Sequence, residues 1–156
     1  MPTIAKSPTP AAASVLRQAT ALWPKRNRAS DGLLPSKAHI AQNPDSDHNT
    51  GLAVDLTHDP KNGVDCADLF ERLKADKRVA YLIFNRRIWV RKKGELKYSG
   101  ANPHTKHLHV SIYRALSHDT SPWFPWAGEP SAIGKIKSKV QKNKKKQAPS
   151  SPKEDK

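Results

Sequence analysis

The sequence Ser46-Asp47-His48-Asn49-Thr50-Gly51-Leu52-Ala53-Val54-Asp55 contains the features on which the rest of the fold depends. From Leu52 onward apolar residues alternate with others, which predicts a short strand with Asp55 on the face opposite Val54. His48 precedes Gly51, where a residue without a Cβ lets the backbone turn sharply. The turn would bring a histidine and a carboxylate together, and zinc accepts both as ligands.

A third ligand could come from either histidine of His107-Leu108-His109. If this segment is a strand, both imidazoles lie on one face and Leu108 lies on the other. Two imidazoles and one carboxylate leave the fourth position of a zinc ion open, which is typical of catalytic rather than structural zinc sites.

The pattern Ser46-x-His48-x-x-Gly51-x-Ala53-x-Asp55, followed by His107-x-His109, resembles the zinc peptidases that cleave peptidoglycan stem peptides. That group includes D-alanyl-D-alanine carboxypeptidases, L-alanyl-D-glutamate endopeptidases and phage endolysins. The flanking residues 28–32 and 98–107 are similar to those of small phage and actinobacterial members. The resemblance extends over residues 14–114, and its central motif specifies enough positions to be a specific match.

The resemblance implies one zinc ion held by His48, Asp55 and His109. It also implies that His107 is the catalytic base, because members of the His-x-His type carry a water-activating imidazole there. Other members carry a Glu three residues before the last ligand, and this chain has Lys106 in that position. The alternative is that His107 only orients a neighbouring ligand.

Three further residues have roles that follow only from the resemblance. His104 is the second candidate base or a substrate-binding residue. Arg28 matches an arginine that some members direct at the substrate carbonyl, and a surface cation is the alternative. Ser46 bonds locally near the metal and the substrate, or simply begins the turn with Asp47. No role is assigned to the remaining histidines, His39, His58 and His118.

Composition limits the chain of 156 residues, 36% of them hydrophobic and 6% aromatic, to one small domain with a modest core. A bound metal would help to stabilise so small a fold. The single cysteine, Cys66, excludes an intramolecular disulfide and a cysteine-rich zinc finger. Its place in an apolar helical pattern predicts a buried side chain.

The predicted fold class is α+β: a small antiparallel sheet whose open face carries the zinc site, with helices packed behind it. We expect a disordered lead over residues 1–12, a zinc peptidase domain over 13–128 and a disordered lysine-rich tail over 129–156. Periodicity predicts helices and strands, and the polar segments between them predict loops. The predicted helices are 14–23 and 65–76, with Asp65 as the N-cap of the second. The predicted strands are 52–57, 79–84, 87–91 and 107–113, with a turn at Asn85 and Arg86. The predicted loops include 25–47, 92–95 and 98–106.

The formal net charge is +14, and half of it lies in residues 135–156, which contain nine lysines and only two acidic residues, Glu154 and Asp155. A solvated tail needs no function. It could instead bind anionic envelope polymers such as teichoic acid or lipopolysaccharide. Nucleic acid is a less favoured partner, because the tail lacks the interleaved aromatic residues of a base-stacking surface.

The N-terminal residues lack the charged start and apolar run of a secretory signal, and no apolar run is long enough for a membrane span. We therefore expect a monomeric protein made in the host cytoplasm that reaches the cell wall after holin-type release.

The expected activity is zinc-dependent hydrolysis of an amide bond in peptidoglycan stem peptides, as in a phage or prophage endolysin. An endopeptidase is favoured over a D-Ala-D-Ala carboxypeptidase, because the long loops 25–47 and 92–106 could form the walls of an open groove. The alternative is a non-catalytic module of the same fold that binds the cell wall or polyanions.

Overall fold

Five antiparallel strands form one sheet in the computed structural model, which describes residues 5–35, 40, 45–100 and 102–127. The strands lie in the order β1-β5-β2-β3-β4. Their bounds are β1 Ala53–Thr57, β2 Val79–Phe84, β3 Arg87–Val90, β4 Gly94–Lys97 and β5 His107–Ile112. Together with two helices, this sheet confirms the predicted α+β class.

Strand β4 corrects the prediction that the chain forms only a loop after residue 91. Gly94 adopts a φ of +83°, which ends the turn after β3 and allows the chain to fold back. Leu96 then pairs with Ile88 of β3. The strand was missed because it is only four residues long and two of its side chains are charged.

The turn between β2 and β3 is formed by Asn85 and Arg86, as predicted. Both residues have positive φ, 50° and 65°, which is the backbone conformation of the tight turns that join antiparallel strands. Their amide groups donate to the carbonyl groups of His104 and Pro103, at 2.8 and 2.9 Å. The loop before β5 is thereby attached to the end of the β2–β3 hairpin.

Helix α1, Pro10–Leu22, begins four residues before the predicted start at Ser14. Thr9 is the N-cap and Pro10 occupies the first turn, where its missing N–H costs nothing. Ser14 lies buried inside the helix. Residues 10–12 are therefore helical, and the prediction that they are disordered is wrong. The segment before them is also bonded to the site-side turn, since the amide groups of Ala5 and Thr9 donate to the carbonyls of Asn49 and Gly51.

Helix α2, Cys66–Leu73, has the predicted N-cap, since the Asp65 side chain accepts from the amides of Ala67 and Asp68. It ends three residues before the predicted end. Cys66 is buried, as predicted, and burial raises the pKa of its thiol far above the usual value.

The core lies between the two helices and one face of the sheet. Helix α1 packs on β1, and α2 packs on β2 and β5. The fully buried side chains of this layer include Val54, Leu56, Leu82, Leu108, Val110, Val15, Phe70 and Leu73. Because strand residues alternate between faces, Asp55, His107 and His109 lie on the other face.

The chain divides after Pro125 into two units, and every helix and strand described above belongs to the first. The predicted lysine-rich tail and His39 lie outside the described residues. Within the described residues, no helix has the length and apolar character needed to cross a membrane.

The side chain of Arg78, which lies just before β2, contacts the aromatic segment at residues 119–123. Its guanidinium lies 3.5 Å from the ring centroid of Trp123 and donates to the carbonyl oxygens of Asp119, Ser121 and Pro122 at 2.8–3.2 Å. It also pairs with Asp76 at 2.7 Å. Trp123 is fully buried and donates from Nε1 to Ser14 Oγ at 2.8 Å.

Replacing Arg78 with Ala should lower the free energy of unfolding by about 3 kcal/mol, because the partly buried Asp76 carboxylate loses its ion-pair partner and three carbonyl groups lose their donor. Urea denaturation of the metal-free protein measures this. Arg114→Ala, which removes an exposed arginine, is the control and should change the free energy by less than about 0.5 kcal/mol. An Arg78→Ala protein as stable as the parent would contradict this account of the segment.

Candidate metal centre

Three side chains meet on the face of the sheet opposite the helices and could hold a metal ion. His48, Asp55 and His109 each offer one ligand atom, and these atoms lie within 4.8 Å of one another. Asp55 Oδ1 is 3.2 Å from His48 Nε2 and 3.2 Å from His109 Nδ1. The structure therefore brings together the residues predicted as ligands.

Two of the three come from neighbouring strands. Asp55 of β1 lies directly opposite His109 of β5 in the antiparallel register. Because directly opposed side chains of paired strands lie only about 5 Å apart, this pairing alone places the carboxylate beside the imidazole.

His48 reaches the same point from a 3-10 turn, Asp47–Thr50, that precedes β1. Ser46 caps this turn by accepting a hydrogen bond from His48 N at 3.2 Å. Gly51 ends the turn with a φ of +74°, and a Cβ there would lie 3.1 Å from Thr9 N. The glycine is thus required both by its conformation and by the close approach of the N-terminal segment.

The outer nitrogen of each imidazole has a partner that fixes the ring. His48 Nδ1 lies 2.8 Å from the Leu33 carbonyl oxygen, to which it donates as the protonated nitrogen. His109 Nε2 lies 2.8 Å from Ser111 Oγ. These contacts leave His48 Nε2 and His109 Nδ1 facing Asp55, and outer partners of this type orient the histidine ligands of metal sites.

The charges of the three groups are coupled in the metal-free protein. Burial opposes ionisation of Asp55, but hydrogen bonds from His109 and His48 outweigh it and hold the pKa of the carboxyl group well below its usual range. Burial likewise opposes protonation of His48, yet its hydrogen bond to Asp55 raises its pKa overall. The site is therefore built around an ionised carboxylate.

The donor set could hold a metal ion: two imidazole nitrogens and one carboxylate oxygen would occupy three coordination positions and leave a further one open. A further observation supports the fit. His107 Nε2 is buried and has no hydrogen-bond partner among the described residues, while Asp55 Oδ2 lies 3.6 Å away. Buried polar atoms are nearly always hydrogen-bonded, so this nitrogen is a candidate contact for a water molecule or another bound group.

His104 joins the same cluster from the loop before β5. Its ring lies 5.0 Å from that of His107 and 5.7 Å from that of His109, centroid to centroid. Its Nδ1 is 2.7 Å from the Asn102 carbonyl oxygen. Burial, together with the neighbouring His109, lowers the pKa of His104 to about 4. Burial is also the largest cause that lowers the pKa of His107.

Arg28 is exposed, and within the described part of the chain it forms no hydrogen bond or ion pair with Asp55 or the imidazoles. The buried arginine of this loop is Arg26, which pairs with Asp31. Ser46 lies at the site as the cap of the 3-10 turn. The unassigned His58 accepts a hydrogen bond from Cys66 N at 3.1 Å and packs on Phe84, while His118 is exposed.

Sequence reasoning did not identify Tyr81 as a residue that supports the site. The ring of Tyr81 stacks on that of His109, with centroids 5.4 Å apart, and burial raises the pKa of Tyr81 to about 12. Tyr81 lies opposite Ser111, next to a register shift between β2 and β5. Because such a shift changes which face a residue occupies, strand alternation alone could not identify Tyr81.

Comparison with known proteins identifies one family. A family model described as "VldE, C-terminal domain" matches residues 5–110, which is more than half of the chain. This span includes all three candidate ligands, together with His104 and His107. No curated protein and no solved structure matches the chain.

The protein should bind about one zinc ion, and His48→Ala, Asp55→Ala and His109→Ala should each lose it, because each removes one of three ligands. Zinc content after dialysis measures the stoichiometry. Zinc should also raise the melting temperature of the parent but not of these variants, since a ligand that binds only the folded state stabilises it.

The matched control is His118→Ala, which removes an exposed histidine and should retain both zinc and its thermal effect. Stoichiometric zinc in both Asp55→Ala and His109→Ala would mean that this ligand set is wrong.

Proposed function

The chain belongs to the VldE C-terminal domain family, and we propose that it is a zinc-dependent hydrolase of an amide bond in peptidoglycan stem peptides. One observation carries this proposal: a set of two imidazoles and a carboxylate that could hold a metal stands beside a third imidazole, His107, whose buried Nε2 has no hydrogen-bond partner among the described residues. The motif resemblance to zinc peptidoglycan peptidases supplies the substrate class.

His48, Asp55 and His109 would hold the metal. A zinc ion in this position supplies a Lewis acid that polarises the scissile carbonyl and lowers the pKa of a water molecule. Asp55 adds the negative charge that balances part of the metal's charge. The strand pairing of Asp55 with His109 and the turn that presents His48 keep the ligands in place without substrate.

His107 is the proposed general base. Its Nε2 lies 3.6 Å from Oδ2 of Asp55, the carboxylate that would hold the metal together with His48 and His109. From there it can take the proton of the attacking water and return it to the leaving amine, which is the usual role of a histidine in acid–base catalysis. Its fixed position on β5, two residues before His109, keeps both imidazoles on the same face.

His104 is proposed to contact the substrate, and it is the alternative base. It adopts a φ of +56°, a conformation that non-glycine residues rarely adopt and that is concentrated at functional sites. Its Nδ1 contact with the Asn102 carbonyl leaves Nε2 available for an external group. Arg28 and Ser46 are proposed substrate contacts of the flanking loop, on the strength of the resemblance alone.

The sheet itself supports a peptide as the substrate. Asp55 and His109 lie in one row across the strands, and the row continues through Ile83, Ile88 and Leu96. Leu96 is 55% exposed, one of two large hydrophobic residues exposed among those described. At ~4.8 Å per strand, this apolar row extends roughly 14 Å from His109. Ile83 is buried, so it is the exposed end of the row at Leu96 that could contact an apolar side chain of an extended peptide.

The same face supports an endopeptidase rather than a carboxypeptidase. Both described helices pack on the opposite face of the sheet, so no described helix covers the face that carries Asp55 and His109. We further propose action at the cell wall as a monomeric phage or prophage lysis protein. The lysine-rich C-terminal region would then bind anionic envelope polymers by charge attraction.

Purified peptidoglycan in a zymogram gel should be cleared by the protein, with clearing lost in chelator and restored by zinc, because hydrolysis needs the metal. Mass spectrometry of digested muropeptides should show cleavage within the stem. Release of terminal D-Ala alone would contradict the endopeptidase preference. Binding to walls without any cleavage would favour the non-catalytic module.

The variants His107→Ala and His109→Ala should differ. His107→Ala should keep zinc and the melting temperature while kcat on a soluble muropeptide falls by roughly 10²–10⁴, the range for losing a general acid–base group. His109→Ala should lose zinc, stability and activity together. Equal zinc loss in both variants would make His107 a ligand and His104 the candidate base.

A further inference from the structure

A buried ion pair anchors the loop that precedes the metal site. Arg26 is 5% exposed and contacts the carboxylate of Asp31 with both terminal nitrogens, at 3.0 Å to Oδ1 and 2.8 Å to Oδ2. The same guanidinium donates to Thr20 Oγ1 of α1 at 3.0 and 3.2 Å. This two-pronged geometry fixes the orientation of the carboxylate as well as its position.

Asp31 connects this ion pair to β1. Its Oδ1 accepts from the backbone amide of Thr57 at 3.0 Å and from Thr57 Oγ1 at 2.7 Å. Thr57 Oγ1 in turn accepts from Ser30 N at 3.0 Å. The carboxylate therefore joins α1, the loop and the end of the strand that carries Asp55.

The two residues after Asp31 contact two of the candidate ligands. Gly32 pairs with Asp55 through two backbone hydrogen bonds, of 3.1 and 2.8 Å. A Cβ at Gly32 would lie 3.3 Å from Asp55 Oδ2, so the glycine leaves room for that carboxylate. The carbonyl oxygen of Leu33 is the 2.8 Å partner of His48 Nδ1.

We propose that Asp31, held by Arg26, is a positioning residue for the metal site. His48 lies on a turn outside the sheet, and its ring is oriented by a carbonyl group only two residues after Asp31. The anchored loop would keep the Nδ1 proton directed at Leu33 and Nε2 directed at the metal. This inference rests on the metal-binding part of the proposed function.

Zinc affinity, measured by competition with a chromogenic chelator, tests the proposal on the full chain. Asp31→Asn should weaken zinc binding by roughly tenfold or more, the range typical of partners that orient metal ligands. Asp59→Asn is the matched control. Asp59 accepts from Asn27 N of the same loop at 2.8 Å, in an exposed hydrogen bond, so its loss should leave zinc affinity unchanged.

Nitrogen NMR of the His48 ring provides a readout that a purely structural role would not change. In the parent the proton should reside on Nδ1, and in Asp31→Asn the two tautomers should mix. Thr57→Val, which keeps the side-chain shape but removes the hydroxyl group, should weaken zinc binding in the same direction. If Asp31→Asn does not fold, the zinc affinity of Thr57→Val tests the proposal instead.

The positioning role is wrong if both variants bind zinc as tightly as the parent and keep the His48 tautomer unchanged. That result would leave the proposed function standing. A parent that binds no zinc would overturn both. Lower stability of the variants with unchanged zinc affinity would make the ion pair purely structural.

Discussion

The carboxylate of Asp55, shared by two imidazoles, is the interaction on which the functional face of this protein depends. Oδ1 lies 3.2 Å from both His48 Nε2 and His109 Nδ1. A partly buried charge is costly unless it is paired, and here the pairing groups are also the other two candidate ligands. The metal-free protein therefore keeps the three ligands together through their mutual hydrogen bonds, and a metal ion would replace those contacts.

The local pattern of the sequence predicted which candidate ligands share a face, and the resemblance to zinc peptidases supplied the choice of His109 over His107. Alternation in β1 and β5 placed Asp55, His107 and His109 on one face, and Gly51 marked the turn that presents His48. Such features depend on neighbours in the chain, where strand and turn rules apply. The α+β class followed from the same patterns, as did strand β2 with its predicted bounds and the Asp65 cap of α2.

The contacts that support the ligands could not be predicted in this way. The carbonyl of Leu33 and the ion pair between Arg26 and Asp31 depend on how a loop folds over the edge of the sheet, and no periodic pattern encodes that. Tyr81 lies beside a register shift that reverses simple alternation. The start of α1 was missed because its cap, Thr9, stands among small residues and prolines whose composition suggested disorder.

X-ray absorption at the zinc edge tests the central claim most directly, because it reports the ligands around the metal itself. The account predicts a first shell of nitrogen and oxygen atoms at ~2.0–2.1 Å with scattering from two imidazoles. If the His109→Ala protein is loaded with excess zinc, its spectrum should show scattering from one imidazole fewer. Scattering from three or four imidazoles, or from none, would contradict a site built by His48, Asp55 and His109.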